Sequence, residues 1–494
     1  MGIVIRQSIK GSLATYVGTI IGILTTLFII PKYIGEELLG LTRVLFEAGV
    51  LFATIFQLGA SSSVIKFFPY FKSKDKHNNG FFFYLIALVT VGFLLFVPAF
   101  LILKEPISNF FSEKSPLFVD YLYWVIPLTF FLLYWITFEI YSIVLMRIAI
   151  PKFIREIVVR LLLVVVYVLY ALGFLNLTGF IVAFICVYGI VMMIAFFYIS
   201  RIGSVSLKHD SKFITPSLKK DFTSYTSFLL IGSIGSSLVG KIDLFMISAE
   251  MSLAWAGIYS IAFYMANVIE IPSRSISAIS APIVAEALNK ENYEEAGAFY
   301  KKVSLHQLLI GSSLFILIWI NLDNAFAIIP NGEVYSSGKW VVLFIGLAKL
   351  VEMTFGFGGI MINFSKHYKW NLFFTFFITF VTIAFNALLI PRLGISGAAI
   401  ATFITYIICF GLQQILVLVT MKVHPYSIGF LKILAVMFVA FGLNYILPTL
   451  NNVWIDSIYR TLIVVAVSGT LIYVLNISEE ANNLIKSTIK KLKK

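Results

Sequence analysis

The sequence predicts an all-α integral membrane protein with fourteen transmembrane helices, twelve of them in two parallel-repeated six-helix lobes and two beyond the repeat. Three observations carry this. Apolar residues are 60% of the 494 and charged residues 12%, against roughly 45–50% and ~25% in a soluble domain. The lysines and arginines gather in alternate loops. A shift of 217 residues lays the first half of the chain on the second. With a mean hydropathy of +0.96, the composition excludes a soluble globular, a disordered or a disulfide-stapled chain. Cys186 and Cys409 lie in apolar runs with neither CxxC nor metal spacing, and are expected to pack as small hydrophobes.

At the start of the chain, Arg6 and Lys10 precede an apolar run over 11–30 that is longer than a signal-peptide core, with no small-x-small cleavage site after it. That helix is expected to stay in the mature protein. Arg6 occupies the position where a myristoylation signal needs Ser or Thr. Further spans are expected over 39–60, 80–103, 118–146, 154–174 and 177–200, the fourth long enough to tilt or to kink at Pro127. A polar stretch from Arg201 to Asp221 follows. Then come 222–247, 254–282, 303–329, 338–362, 370–391, 394–421, 427–447 and 457–476. The organisation expected is therefore an N-lobe over 1–200, a cytoplasmic linker over 201–221, a C-lobe over 222–421, two further helices within 427–476 and a basic tail over 477–494.

Charge placement orients these spans. With the N-terminus inside, cytoplasmic segments hold 27 of the 37 cations, including Lys66 to Lys76, Arg147 to Arg160, Arg201 to Lys220 and the five lysines from Lys486 onward. Opposite loops hold seven, among them Lys32, Lys241, Lys339 and Arg460. This alternation predicts cytoplasmic N- and C-termini. It also accounts for the net charge of +13 without a nucleic-acid partner.

In the repeat, Leu27-Phe28-x-Ile30 falls on Leu244-Phe245-x-Ile247, Gly40 on Gly257, Phe46 on Phe263 and Ser63 on Ser280. With one added residue, Gly179, Ala183 and Tyr188 meet Gly397, Ala401 and Tyr406. Six helices separate the copies, so both have one orientation. Such repeats build two bundles facing each other across a midplane site.

Several chemistries are excluded. Gly235-Ser-Ser-Leu-Val-Gly240-Lys241 imitates a phosphate loop, but Ile242 replaces the required Ser/Thr and no strand is expected before it. Transport, if any, is driven by an ion or substrate gradient rather than ATP. The histidines, His77, His209, His306, His367 and His424, are dispersed and expected in solvated loops or at a helix start, with no metal site. The longest non-cytoplasmic loops, of about a dozen residues, leave no room for a catalytic domain.

Charges inside spans cost about 2.5–3.5 kcal/mol each at mid-bilayer and need a reason. Arg43 and Glu47 are four apart on one helix face, in ion-pair register, and Glu270 and Arg274 repeat that spacing across Pro272. Lys349 and Glu352 are three apart. Glu139 lies toward an inner helix end, and Lys241 and Asp243 close the seventh span near the outer surface. Each pair either locks two helices or lines a pathway. Arg155, Glu156 and Arg160 are expected to snorkel to head groups. Gly18-x-x-x-Gly22 is expected to give close packing of the first helix.

The stretch Asn386-Ala-Leu-Leu-Ile-Pro391-Arg392-Leu-Gly394-Ile-Ser-Gly397-Ala-Ala-Ile-Ala401-Thr402 resembles a hallmark of bacterial polysaccharide flippases. So do Lys241-Ile-Asp243-Leu-Phe-Met-Ile and Ala256-Gly257-Ile-Tyr259-Ser-Ile-Ala. With fourteen spans in two lobes, the chain looks like the O-antigen type within the multidrug/oligosaccharidyl-lipid/polysaccharide exporter superfamily, over nearly its whole length. The resemblance implies a V-shaped, non-enzymatic transporter in the bacterial inner membrane, with no cofactor and with possible H⁺ or Na⁺ gradient coupling. Its cargo would be an undecaprenyl-diphosphate-linked oligosaccharide, flipped by alternating access. Implied partners are that substrate, membrane lipids and polysaccharide polymerase or chain-length proteins. The related lipid II flippases carry an arginine followed by a glutamate on helix two, matched by Arg43 and Glu47, and a Glu-x-Pro on helix eight, matched by Glu270-Ile-Pro272. Where they place an arginine one turn earlier, this chain has Asn267, with Arg274 one turn later; their arginine in helix one has no counterpart between Lys10 and Lys32. The substrate-binding residues expected are thus Arg43, Glu47, Asn267, Glu270, Arg274, Lys349 and Glu352, with Lys241, Asp243 and Glu139 coupling or gating. The helices over 427–447 and 457–476 are expected to shelter the polyprenyl chain. An ion-coupled small-molecule antiporter on the same fold, and a membrane polymerase or ligase, are the alternatives.

Overall fold

A computed structural model describes residues 2–73, 78–202, 205–206, 215–480 and 482–483. Lys74, Lys76, His77, Lys208, His209, Lys212 and most of the basic tail lie outside the described residues. The described chain is all-helical, without a strand. We number the principal helices α1 (Gly2–Leu24), α2 (Glu36–Phe56), α3 (Ala60–Phe71), α4 (Phe81–Ser112), α5 (Val125–Val144), α6 (Val159–Ala171), α7 (Leu177–Ile202), α8 (Pro216–Leu238) and α9 (Ile242–Glu250). The order continues with α10 (Leu253–Asn267), α11 (Ile271–Asn289), α12 (Tyr293–Ile320), α13 (Lys339–Phe355), α14 (Phe357–Asn363), α15 (Lys369–Leu393), α16 (Ile395–Met421), α17 (Ile428–Ile446) and α18 (Val453–Val474).

Among the described residues ten helical stretches are long and apolar enough to cross a membrane, or eleven if the pair α13–α14, bent by 43°, is one span. The expected fourteen are not reached by this measure, for identifiable reasons. The segment over 154–174 carries Arg155, Glu156 and Arg160 in its first two turns. The segment over 222–247 is broken between α8 and α9, where Gly240 takes φ +78°. This break is also the fate of the phosphate-loop look-alike, which is a helix end and a turn. One apolar stretch, Lys369–Met421, holds both α15 and α16.

The chain divides into two compact units, Met1–Gly257 and Ile258–Lys494. Lipid competes with any side chain for apolar contact, so helix association inside a bilayer relies on close fit and small residues. In the first unit Leu39, Leu41, Val44 and Leu45 of α2 are at most 1% exposed. A Cβ on Gly49 would come within 2.9 Å of Leu128 on α5. A Cβ on Gly18 would meet the Glu156 carbonyl at 2.6 Å, so the expected close packing of α1 is against the turn before α6. In the second unit Ile269, Phe315, Ile316, Leu350 and Met353 form a buried cluster with Ala440 and Val464.

The repeat has a structural echo. A Cβ on Gly40 would strike the Leu253 carbonyl oxygen at 1.8 Å, and one on Gly257 the Glu36 carbonyl oxygen at 2.0 Å. Positions 36 and 40 map onto 253 and 257 by the same 217-residue shift. The α2–α10 crossing is therefore made by reciprocal, repeat-equivalent contacts, and both positions require glycine. The Pro391-x-x-Gly394-x-x-Gly397 motif likewise has a packing role. Gly394 breaks α15 from α16 at φ +59°, and a Cβ on Gly397 would meet the Leu389 carbonyl at 2.3 Å. The motif is a tight helical hairpin.

Two smaller expectations change. Cys409 is buried as expected, but Cys186 is exposed. His306 is not simply solvated: its Nε2 lies 3.2 Å from the Ser478 hydroxyl and 3.5 Å from Glu480.

Candidate functional site

In the first unit the expected Arg43–Glu47 ion pair does not form. Glu47 pairs instead with Lys241, Nζ to Oε2 at 3.2 Å, both side chains being less than about a quarter exposed. The helix break explains the exchange. Because the backbone turns at Gly240, Lys241 sits at the start of α9, where its ammonium meets the α2 carboxylate. Asp243, 2% exposed, occupies the first turn of α9, where the positive end of the helix dipole favours an acid. Arg43 is half-buried and has no acidic partner among the described residues. It lies close enough to the phenols of Tyr167 and Tyr188 to act on them electrostatically. Tyr188 stacks on Phe46 of α2 with ring centroids 5.2 Å apart. Among the described residues the arginine thus has tyrosine phenols within electrostatic reach and no carboxylate paired with it.

Glu139 belongs to a separate chain of charges. Its carboxylate meets Arg155 at 3.1 Å; Arg155 meets Glu156 at 3.6 Å; Glu156 meets Arg160 at 3.2 Å. Arg160 also donates to the Gly18 carbonyl of α1. Arg155, Glu156 and Arg160, expected to snorkel, are thus wired to one another and to two neighbouring helices. The turn that presents Arg155 and Glu156 is a π-helical bulge over Ile154–Val158, a local widening frequently found at functional sites.

In the second unit, Pro272 lacks an N–H, and a 3₁₀ turn over Val268–Glu270 joins α10 to α11 just before it. That turn aims Glu270 at α13. One Glu270 oxygen meets Lys349 at 2.8 Å, and the other meets Arg274 at 3.4 Å. Lys349 also meets Glu352 at 2.8 Å, and its ammonium lies 6.0 Å from the Tyr406 ring. Lys349 is 9% exposed and saturated by two carboxylates. Arg274 makes one long contact, and its side chain is 71% exposed. Asn267, half-buried at the end of α10, takes no part in this network.

Tyr167, Tyr188 and Tyr406 were not among the residues singled out as a site. A signal existed for two of them. Tyr188 and Tyr406 are repeat-equivalent, and each accompanies an intramembrane cation, Arg43 in one unit and Lys349 in the other. Among the described residues no group of three His, Cys, Asp or Glu side chains is placed to hold a metal ion.

The fold is that of membrane transporters of the multidrug/oligosaccharidyl-lipid/polysaccharide (MOP) exporter superfamily. The chain superposes on the lipid II flippase MurJ in its inward closed conformation with a TM-score of 0.74, over 95% of this chain and 100% of that one, at 15% identity. It superposes on an inward-facing multidrug resistance MATE transporter of the MOP superfamily with a TM-score of 0.61, over 82% and 95%, also at 15% identity. No protein-family model matches the sequence. Over 199 residues it is 27% identical to an uncharacterized membrane protein, MJ1068, of Methanocaldococcus jannaschii. The match covers 40% of this chain and about two-fifths of that relative's length.

Proposed function

We propose that the protein is a flippase that moves a polyprenyl-diphosphate-linked oligosaccharide, such as an O-antigen unit, across the cytoplasmic membrane by alternating access. In this reading fourteen spans form the two six-helix lobes and the additional pair, with both termini cytoplasmic, and no bond of the cargo is broken. The diphosphate and sugars cannot cross hydrocarbon unaided, whereas the prenyl tail never has to leave it. The observation that carries the reading is Arg43: a half-buried guanidinium with no carboxylate among the described residues, while Lys349 and Lys241 are already paired. A guanidinium fork without a carboxylate partner suits a diphosphate through charge-assisted, bidentate hydrogen bonds. Arg274, loosely held by Glu270, is the second cation free to engage an anion.

A cavity of about 180 Å³ between α12, α17 and α18, lined by Leu309, Ile316, Val436 and Val464 among others, supports the assignment of the last two helices to the prenyl tail. The test is complementation of glycan display in cells lacking the native copy, with expression checked by immunoblot. Arg43→Lys is expected to impair display although charge is kept, and Arg43→Ala to impair it more. Full display by both Arg43→Ala and Arg274→Ala at normal expression would show that the anion site lies elsewhere. The MATE likeness keeps an ion-coupled antiporter as the second reading; uptake of fluorescent organic cations that survives Arg43→Ala would favour it.

A further inference from the structure

Unit 1 contains a second, unrelated cavity. It lies between α3, α4 and α8, has a volume of about 220 Å³, and is walled by Val64, Phe71, Phe81, Leu85, Leu88 and Phe222. Apolar walls of this kind reject water. The first turns of α4, which supply Phe81, Leu85 and Leu88, begin an apolar membrane-spanning stretch, so the cavity sits at the depth where a bilayer's acyl chains start. At its mouth stands Lys219, with exposed Lys220 beside it in the chain and exposed Lys72 next to Phe71. These belong to the segments that the cation distribution assigns to the cytoplasm.

The opposite flank of the α3–α8 pair makes a useful contrast. An open, polar recess there is lined by Lys66, Asp221, Tyr225 and neighbours. Its lysine is already committed, lying 3.6 Å from the Tyr225 ring centroid, and Asp221 would repel an anion. The apolar cavity, by contrast, combines hydrocarbon walls with one lining cation, Lys219, and no acid among its lining residues. Between the two flanks α3 and α8 are fixed together by the Ser63–Thr226 hydroxyl contact at 2.8 Å and by Phe67 against Phe222 at 5.1 Å. A chain lodged beside this joint would brace it.

We propose that this cavity is a binding slot for one acyl chain of an anionic phospholipid of the cytoplasmic leaflet, with its phosphate at Lys219. The slot stands whatever cargo the Arg43 region takes.

The test is native mass spectrometry of the full-length protein released from detergent, with phosphatidylglycerol and phosphatidylcholine of equal chain length as probes. Wild type should retain one tightly held phosphatidylglycerol and no phosphatidylcholine. Lys219→Ala should weaken that retention about fivefold, the worth of one lysine at an anionic surface. Leu88→Trp, which fills the cavity, should abolish it; Leu85→Phe is a gentler filling variant should the tryptophan lower the yield of folded protein. Equal retention of the two lipids, or phosphatidylglycerol retention unchanged in Lys219→Ala and in a folded filling variant, would overturn the proposal. With undecaprenyl phosphate added as a third probe, a filling variant that loses it but keeps phosphatidylglycerol would also overturn the proposal, since the slot would then serve the prenyl tail.

Discussion

At the scale of single residues, the most consequential event is an exchange of partners. Arg43 and Glu47 occupy ion-pair register on α2, yet Glu47 is taken by Lys241 from the broken helix, 3.2 Å away. Helical spacing makes a pair available; it cannot exclude a better-placed cation from another element. The same logic makes Lys349 a neutralising residue, because it faces Glu270 and Glu352 at 2.8 Å each. Removing the ammonium leaves two carboxylates facing each other in a mostly buried setting, which costs about 3 kcal/mol or more. Lys349→Met is therefore expected to lower the thermal midpoint of the detergent-solubilised protein clearly. Adding Glu270→Gln to it should restore part of the loss. If Lys349→Met melts with wild type, the cluster is not holding α13 to the Glu270 turn.

Helix pairs obey the same close-contact rules, and two of them give sharp expectations. The α2–α10 crossing puts Gly40 against the Leu253 carbonyl and Gly257 against the Glu36 carbonyl, in repeat-equivalent geometry. A methyl group at either site has to push backbone from backbone, at an overpacking cost of about 1–3 kcal/mol. Gly40→Ala and Gly257→Ala should thus destabilise to a similar degree, as read from melting curves; a large effect in one and none in the other would contradict the reciprocity. Beyond α18, Glu480 reaches back to α12, meeting Lys302 at 2.5 Å. The hydrogen bond from Lys302 holds the Glu480 carboxyl down at about 2, against an ordinary value of 4.5. A lowered folded-state value means that the clasp contributes fully above the ordinary value and is lost as pH falls from about 4.5 to about 2. Since Glu480 is solvent-exposed, the effect is below about 1 kcal/mol. Hydrogen exchange around Ile477 should rise through that acid window in wild type and stay flat in Glu480→Gln.

For the whole molecule, the topology is open to a direct test. Single cysteines introduced at Asn176 and at Ser211, the latter outside the described residues, should label from opposite faces of the membrane. Labelling from one face would remove the fourteen-span, cytoplasmic-termini arrangement and with it the orientation of the proposed transport. The span count by length and composition, ten or eleven, does not decide this. It penalises the two segments whose charges and break the structure puts to use, Arg155–Glu156–Arg160 and Gly240–Lys241.

Composition and charge alternation alone determined that this chain is helical and membrane-embedded, because apolar excess and the sidedness of cations are sums over many residues and survive any local error. The repeat was legible for a related reason: Gly40 and Gly257 keep register since a backbone contact tolerates no side chain at either place. The sequence also picked out nearly every intramembrane charge, each being too costly to insert without purpose. One pair escaped. Asp456 and Arg460 both lie inside α18, buried and 2.6 Å apart, but a helix start set at 457 leaves Asp456 in a loop and Arg460 counted with the loop cations. Partners were beyond reach. That Lys241 rather than Arg43 takes Glu47, that Tyr167 and Tyr188 come within electrostatic reach of the remaining arginine, and that Arg155 and Arg160 meet Glu139 and the Gly18 carbonyl all depend on how separate helices meet. A helix's own sequence fixes which residues share its face. Which of them finds a counter-charge is decided by distances of about 3 Å between elements far apart in the chain, and only the tertiary structure sets those.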